Sequence, residues 1–260
     1  MTDSPATARH RTPATAPALL AALLAGVIAA HPAPAHAAPG AGEEFYAATV
    51  EPGEWELEAR YGRLAGGPDT GEGNLRLEAG YGVTGTLRLA AVGEFEREAA
   101  GPHTSPHKAT AFAIEAVYHL AHARGWDFAV YGEFEKGLNG HPDAIESKLL
   151  IERSTRNWDL RANLIAEQPL REGESLELGY AVSLDRAVSD AVRLGVVGFG
   201  ELGNQHRLFP FAQHYWGPAI KWRPGGAGHP LRLEAGWLVP LAEARDHAKG
   251  QLHLNLEWEL

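Results

Sequence analysis

Apolar and polar residues alternate one for one along most of the chain. In EWELEARYG (54–62), Trp55, Leu57, Ala59 and Tyr61 stand between Glu54, Glu56, Glu58 and Arg60; in NLRLEAGYG (74–82), Leu75, Leu77, Ala79 and Tyr81 stand between Asn74, Arg76, Glu78 and Gly80. A period of two is that of a β-strand with one apolar and one polar face. The pattern returns in TLRLAAVGEFE, FAIEAVYHL, WDFAVYGEF, IESKLLIE, WDLRANLIA, SLELGYAVSL, AVRLGVVGF, HYWGPAIKW and PLRLEAGWLV, and runs through QLHLNLEWEL to Leu260. It predicts about twelve strands, and no helical stretch of comparable strength interrupts them. Unpartnered chain ends fray because they bury little. So regular a last strand is expected to be paired to its end.

The connections alternate as well. Brief segments (VTG, AHARG, STRN, RAVSD and the somewhat longer PGGAGH) take turns with longer or more polar ones (LAGGPDTGEG, REAAGPHTSPHK, KGLNGHPD, EQPLREGE, ELGNQHRLFP and AEARDHAKG). An even number of strands with short turns on one rim and long loops on the other is the layout of an outer-membrane β-barrel. Volume decides which face is inside. The apolar face carries Trp55, Trp126, Trp158, Trp216, Trp222, Trp237 and Trp258 besides several aliphatic residues per strand, more than the interior of a small barrel holds. The opposite face carries charge and glycine, including Gly80, Gly179, Gly195, Gly217 and Gly236.

The apolar face is therefore expected to meet lipid. Trp55, Tyr81, Tyr118, Trp126, Trp158, Trp222 and Trp258 sort to the short-turn ends, whereas Tyr61, Phe95, Phe112 and Phe134 sort to the long-loop ends, as interfacial girdles do. The fold class is all-β: a transmembrane antiparallel barrel over 54–260, its last strand closing on its first so that no edge remains in the membrane. Pro218 and Pro240 each remove a ladder donor, and a bulge or break is expected at Pro218.

The start of the chain reads differently. Arg9, His10 and Arg11 precede APALLAALLAGVIAA (16–30), too short to span a bilayer as a helix, and Ala35 and Ala37 stand at the small-residue positions of a cleavage site. Residues 1–37 are expected to be a cleavable secretory signal and 38–53 a short periplasmic segment. The net charge of -10 with no basic run excludes nucleic acid as a partner. The absence of cysteine removes thiolate catalysis and Cys-held metals. No cofactor is implied.

GEWELEARYG, LRLEAGYGVTGTLRLAAVGEFE, YWGPAIKW and LRLEAGWLVPL together resemble the bacterial outer-membrane barrels grouped as meta-pathway phenol-degradation-type transporters, in which a tyrosine-glycine turn separates paired Leu-x-Leu strands. The resemblance implies a passive channel for small solutes, aromatic ones among them. Outer-membrane barrels generally end in an aromatic residue read by the barrel-assembly machinery; here Trp258 stands two positions before Leu260.

The inward face supplies the candidate site. Glu56, Glu58, Glu78, Glu94, Glu115, Glu133, Glu135 and Glu234 are the candidate pore-lining carboxylates, with Arg76, Arg88, Arg161 and Arg232 as the bases among them. Acids outnumber bases on this face, which predicts a lumen that concentrates cations. Glu94, Glu115 and Glu133 have few bases opposite in the pattern and are expected to hold them. The alternative is that cross-strand charges pair and fill the lumen, leaving a non-conducting structural or adhesion barrel whose outer loops bind a partner.

Enzymatic chemistry has little to rest on. Among Ser147, Ser154, Ser175, Ser183 and Ser189 only Ser147 falls in mid-strand on the outward face, with no histidine at cross-strand spacing. His103, His107, His141, His206, His214 and His247 belong to or flank the long loops, a spacing that fixes no ligand geometry, so no metal site is assigned. The loop lengths set the orientation, with both termini periplasmic. An epitope tag inserted at Gly140 or Asp246 is expected to be reached by antibody on intact cells and one at Gly85 or Asn157 not; labelling at the short-turn positions would reverse the topology.

Overall fold

The computed structural model describes residues 45–99, 105–209, 212–226 and 228–260. The expected secretory signal, residues 1–37, and residues 38–44 lie outside them. The strands are β1 Trp55–Ala65, β2 Gly73–Thr84, β3 Leu87–Arg97, β4 Lys108–Ala123, β5 Trp126–Gly137, β6 Ala144–Ser154, β7 Trp158–Pro169, β8 Glu177–Ala187, β9 Val192–Asn204, β10 Arg207–Leu208, β11 Gln213–Trp222, β12 Leu231–Ala242 and β13 Gly250–Glu259. All of them join one antiparallel sheet. The two-residue β10 only folds back on β9 in a loop, and the other strands form a closed ring of twelve.

Closure is made by β13 against β1, in register from Glu56 opposite Glu259 to Ala65 opposite Gly250. The ladder continues past the strand ends: the Leu260 N–H donates to Trp55 O at 2.7 Å and the Trp55 N–H to Leu260 O at 3.1 Å. A hydrocarbon environment tolerates no unpaired backbone groups, and a closed ladder leaves none at an edge. At Pro218 the β11–β12 ladder stops after Trp216 opposite Val239 and resumes at Ala219 opposite Gly236 in the same register. The β11–β9 ladder runs through Pro218 opposite Val196. The missing donor thus costs a local break on one side and no bulge.

Which face is inside follows from contacts between strands that are not neighbours. Arg76 on β2 reaches Glu133 on β5, and Arg88 on β3 reaches Glu56 on β1, which only the concave side permits. The opposite positions are the exposed ones: Trp55, Leu57, Leu77, Leu89, Ile114, Leu164, Leu194, Ile220, Trp237 and Leu256. Apolar side chains on the convex face are what a bilayer solvates and water does not.

Two details depart from the strand pattern. The segment AHARG is not a turn: β4 continues to Ala123, a register shift falls between His119 and Ala121, and only Arg124 and Gly125 turn the chain, both at positive φ (54° and 80°). A two-residue hairpin with both central residues at positive φ matches the twist of its strands, so the longer strand wins over the expected loop. The lumen, moreover, is not polar throughout. Leu64, Ala181, Val197, Phe199, Tyr215, Ala219 and Leu238 pack into an inward apolar cluster with Ala244 and Ala248 of the β12–β13 loop. That loop carries a 3-10 turn over Glu243–Asp246 and is fastened to the β1–β2 loop by the His247–Asp69 contact at 2.7 Å.

Candidate functional site

The candidate site is the lumen, and its side chains are delivered by the alternate positions of β1–β9 and β11–β13. On β1–β5 they form a continuous ionic network. Arg60 bonds Glu78 at 2.5 Å. Arg88 bridges Glu56 at 3.1 Å, Glu78, and Glu115 at 3.0 Å. Gly80, opposite Glu56 on β1, lacks the Cβ that the Arg88 guanidinium would strike. Arg76 sits between Glu94 at 2.6 Å and Glu133 at 2.7 Å. Arg60 and Glu115 are each 1 % exposed, and charges withdrawn from water this far are tolerated only when paired and hydrogen-bonded.

The N-terminal stretch completes the network. Of the expected periplasmic segment 38–53, residues 45–50 lie inside the barrel. They enter over Gly82, where any Cβ would collide with the Glu51 carbonyl. Having no strand partner, their backbone is held by side chains: the Tyr46 N–H donates to Asn163 Oδ1 at 2.9 Å, and Asn163 Nδ2 returns a bond to Tyr46 O at 3.2 Å. Glu152 Oε2 accepts from Ala48 N–H at 2.8 Å, Thr49 N–H at 3.1 Å and Thr49 Oγ1 at 3.0 Å. Arg161 donates to Phe45 O at 3.1 Å. Buried backbone groups need such partners, and carboxylate acceptors give the stronger bonds.

Tyr46 is the centre of this arrangement. Its hydroxyl donates to Glu115 at 2.8 Å, beside the Tyr131 hydroxyl, whose single proton is shared between Glu115 at 2.8 Å and Glu133 at 2.7 Å. The Lys148 ammonium lies 4.7 Å and the Arg60 guanidinium 5.5 Å from the Tyr46 ring centroid, within cation–π range. Tyr46 and Ala48 pack with Val117, Ala129, Tyr131 and Leu150, so the segment is bound by apolar contact as well as by polar bonds.

Charge is divided along the barrel axis. At the short-turn mouth a cavity of about 310 Å³ is lined by Arg161, Arg193, Lys221, Arg232, Glu234 and Glu257 among others. Its bases are paired: Arg161 with Asp159 at 3.2 Å, Arg193 with Asp185, Lys221 with Asp185 at 2.7 Å and Glu234 at 3.6 Å, and Arg232 with Glu257 at 2.6 Å. Toward the long loops, Glu96, Glu135, Glu177 and Glu201 have no arginine or lysine at ion-pair distance among the described residues.

The twelve candidate residues thus separate into groups. Glu56, Glu58, Glu78, Glu94, Glu115, Glu133, Arg76 and Arg88 meet in the mid-barrel network, Arg161, Arg232 and Glu234 line the short-turn cavity, and Glu135 stands beside Glu94 and Glu133. The carboxylates expected to hold cations have protein partners instead: Arg76 bonds Glu94, its directly opposite partner on β3, and Glu133 three strands away on β5, and Arg88 on β3 bonds Glu115 on the neighbouring β4. Cross-strand alternation does not reveal the reach to Glu133. The two carboxylate triads, Glu56–Glu58–Glu78 and Glu94–Glu133–Glu135, already hold Arg60, Arg88 and Arg76 where a metal would sit.

The loop histidines have separate partners, His247 with Asp69 and His214 with Tyr180, while His103 lies outside the described residues. Ser147 is exposed on the convex face, and Ser183 accepts from Lys221 at 3.0 Å in the lumen. Residues 45–50 were missed by the sequence pattern because FYAATV neither alternates nor carries charge; the adjacent aromatics Phe45 and Tyr46 ahead of the first strand were the available sign. The chain has no native cysteine, so an Ala48→Cys thiol is unique. It is expected to resist water-soluble maleimides in the folded barrel and to react after Glu152→Ala and Asn163→Ala are added; equal reactivity in both backgrounds would show that these side chains do not hold the segment.

No protein-family model and no curated protein sequence matches the chain. Solved structures do. An outer membrane channel from Pseudomonas putida F1 superposes with a TM-score of 0.59 at 13% identity, over 86% of this chain and 100% of that one. The NanC porin superposes with a TM-score of 0.56 at 7% identity, over 78% and 100%, and the KdgM porin with a TM-score of 0.54 at 9% identity, over 78% and 98%. At such identities the likeness is one of fold, and the fold is that of a porin-type outer-membrane β-barrel.

Proposed function

We propose that the protein is an outer-membrane channel for passive diffusion of small solutes, closed at mid-height in the state described and cation-preferring when it conducts. The observation that carries this reading is the lumen itself: a closed twelve-strand ring with a polar cavity at one mouth, unpaired carboxylates toward the other, and a short peptide rather than sheet between them. A cation entering past Glu96, Glu135, Glu177 and Glu201 meets carboxylates that no arginine or lysine neutralises at ion-pair distance among the described residues, whereas an anion meets repulsion. The exported chain, its signal removed and the barrel-assembly machinery recognising its last strand, would sit in outer-membrane lipid. The paired Leu-x-Leu strands and tyrosine-glycine turn support kinship with the phenol-degradation-type transporters, and with it small aromatic solutes as cargo.

A second reading has its own support. The ion pairs and the anchored segment fill the middle of the barrel, which suits a non-conducting structural barrel. Enzymatic activity is not proposed, since no lumenal serine meets a histidine among the described residues.

Planar-bilayer recording separates the two. The full chain is expected to show low or intermittent conductance, and deletion of residues 45–50 to raise it at least severalfold with the folded gel mobility kept. Changing Glu96, Glu135, Glu177 and Glu201 together to Gln should reduce the cation preference, most visibly below 0.1 M salt, where the Debye length exceeds about 10 Å. No conductance from either folded form would favour the structural barrel, and anion preference would put the short-turn bases in control.

A further inference from the structure

The arginines and lysines of the lumen are paired within the barrel, and a group of exposed arginines without an ion pair among the described residues stands on the short-turn side. Arg153 on β6 and Arg186 on β8 project from the convex face at the short-turn rim, and Arg124 and Arg156 occupy the adjoining turns; all four are exposed. None has a carboxylate at ion-pair distance among the described residues. The reason is the strand period. The acids next to them in sequence or ladder, Asp127, Glu152, Asp159 and Asp185, take the alternate positions and point into the lumen, and neighbouring residues of a strand face opposite sides of the sheet. Four cations are thus stranded on the outer surface of a chain whose net charge is -10.

Their setting fixes the depth at which they lie. The Arg153 guanidinium lies 5.3 Å from the Trp126 ring centroid, and Arg186 stands opposite Trp158 with its guanidinium at 5.5 Å. Interfacial tryptophans mark the headgroup level. An arginine on the lipid face is costly at the bilayer midplane and nearly free there. Around the rest of this rim the convex face presents Trp222, Trp258, Trp55, Tyr81 and Tyr118, with no unpaired base among the described residues. We infer that the outer surface of β5–β8 at the short-turn rim binds the phosphates of anionic phospholipid in the adjacent leaflet, each guanidinium taking a phosphate oxygen while the indoles of Trp126 and Trp158, beside Arg153 and Arg186, pack the glycerol and upper acyl region. Planar guanidinium forks suit phosphate, and stacking on an indole orients the fork without consuming its donors. The inference rests on the outer-membrane barrel fold with the short-turn rim in the phospholipid leaflet, and is independent of whether the lumen conducts.

The test is lipid retention by the full chain, counted by native mass spectrometry after release from nanodiscs of phosphatidylcholine doped with phosphatidylglycerol or with lipid A. The folded protein is expected to retain phosphatidylglycerol in preference to phosphatidylcholine. Each of Arg124→Gln, Arg153→Gln, Arg156→Gln and Arg186→Gln should weaken retention about fivefold, the effect of one basic residue at an anionic surface, with heat-modifiable gel mobility unchanged. Replacing Arg207 and Arg245, which belong to the long loops, should leave it alone. Equal retention of the two phospholipids, or undiminished phosphatidylglycerol in the fourfold variant, would overturn the proposal. Preference for lipid A over phosphatidylglycerol would overturn it too, by placing this rim in the other leaflet.

Discussion

The backbone of this chain has to satisfy its hydrogen bonds without help from the surrounding solvent, and the other features of the barrel follow from that. Lipid offers neither donors nor acceptors, so the sheet must close, as it does through the β1–β13 ladder and the reciprocal bonds between Trp55 and Leu260. Once closed, each strand has one face in hydrocarbon and one in a confined interior. Apolar residues take the first, and the charged residues between the two rims are driven to the second. The ionic network is thus a consequence of closure: charges that leave the lipid face arrive in a space too narrow to hydrate them and must solvate one another.

The filling of the lumen is the second half of the same argument. A ring of twelve strands is wider than side chains alone fill well, and here three devices share the space: the ion pairs of β1–β5, the apolar cluster under the β12–β13 loop, and residues 45–50. The segment differs from the other two in kind. Its backbone is held by Glu152, Asn163 and Arg161 rather than by ladder bonds, so it can leave without opening the sheet. A structure in which the wall is continuous and the obstruction is separate from the wall is one that can change conductance without changing fold.

Much of this was legible in the sequence, and the failures have physical causes. Strict alternation in EWELEARYG or NLRLEAGYG announces both strand and face, and the volume of the tryptophans decides that the apolar face is outside. Where the pattern relaxes, information is lost. Val196 and Val197 are both apolar, so nothing in the pattern tells that Val197 joins Phe199 in an inward cluster. AHARG has the composition of a loop, yet His119 and His122 both bond Asp127, at 3.0 and 2.9 Å, across a β4–β5 ladder that continues to the hairpin. The Arg76 partner of Glu133 was invisible because barrel curvature, unlike strand period, leaves no mark on local sequence, whereas Arg88 reaches Glu115 diagonally from the neighbouring strand. The inserted segment was hidden for the opposite reason: held by the side chains of other strands, it needs no pattern of its own.

The central claim is that the alternation is turned inside out relative to a soluble protein, around a lumen that is filled. Spin labels at introduced cysteines along β4 test it most directly, because no native thiol competes. In lipid bilayers, labels at Phe112, Ile114 and Ala116 are expected to be open to oxygen dissolved in hydrocarbon. Labels at Ala111, Ala113 and Val117, all buried against the lumen, should be shielded both from oxygen and from a water-soluble nickel relaxant. Oxygen accessibility in the opposite phase, greatest at 111, 113 and 117, would contradict the account.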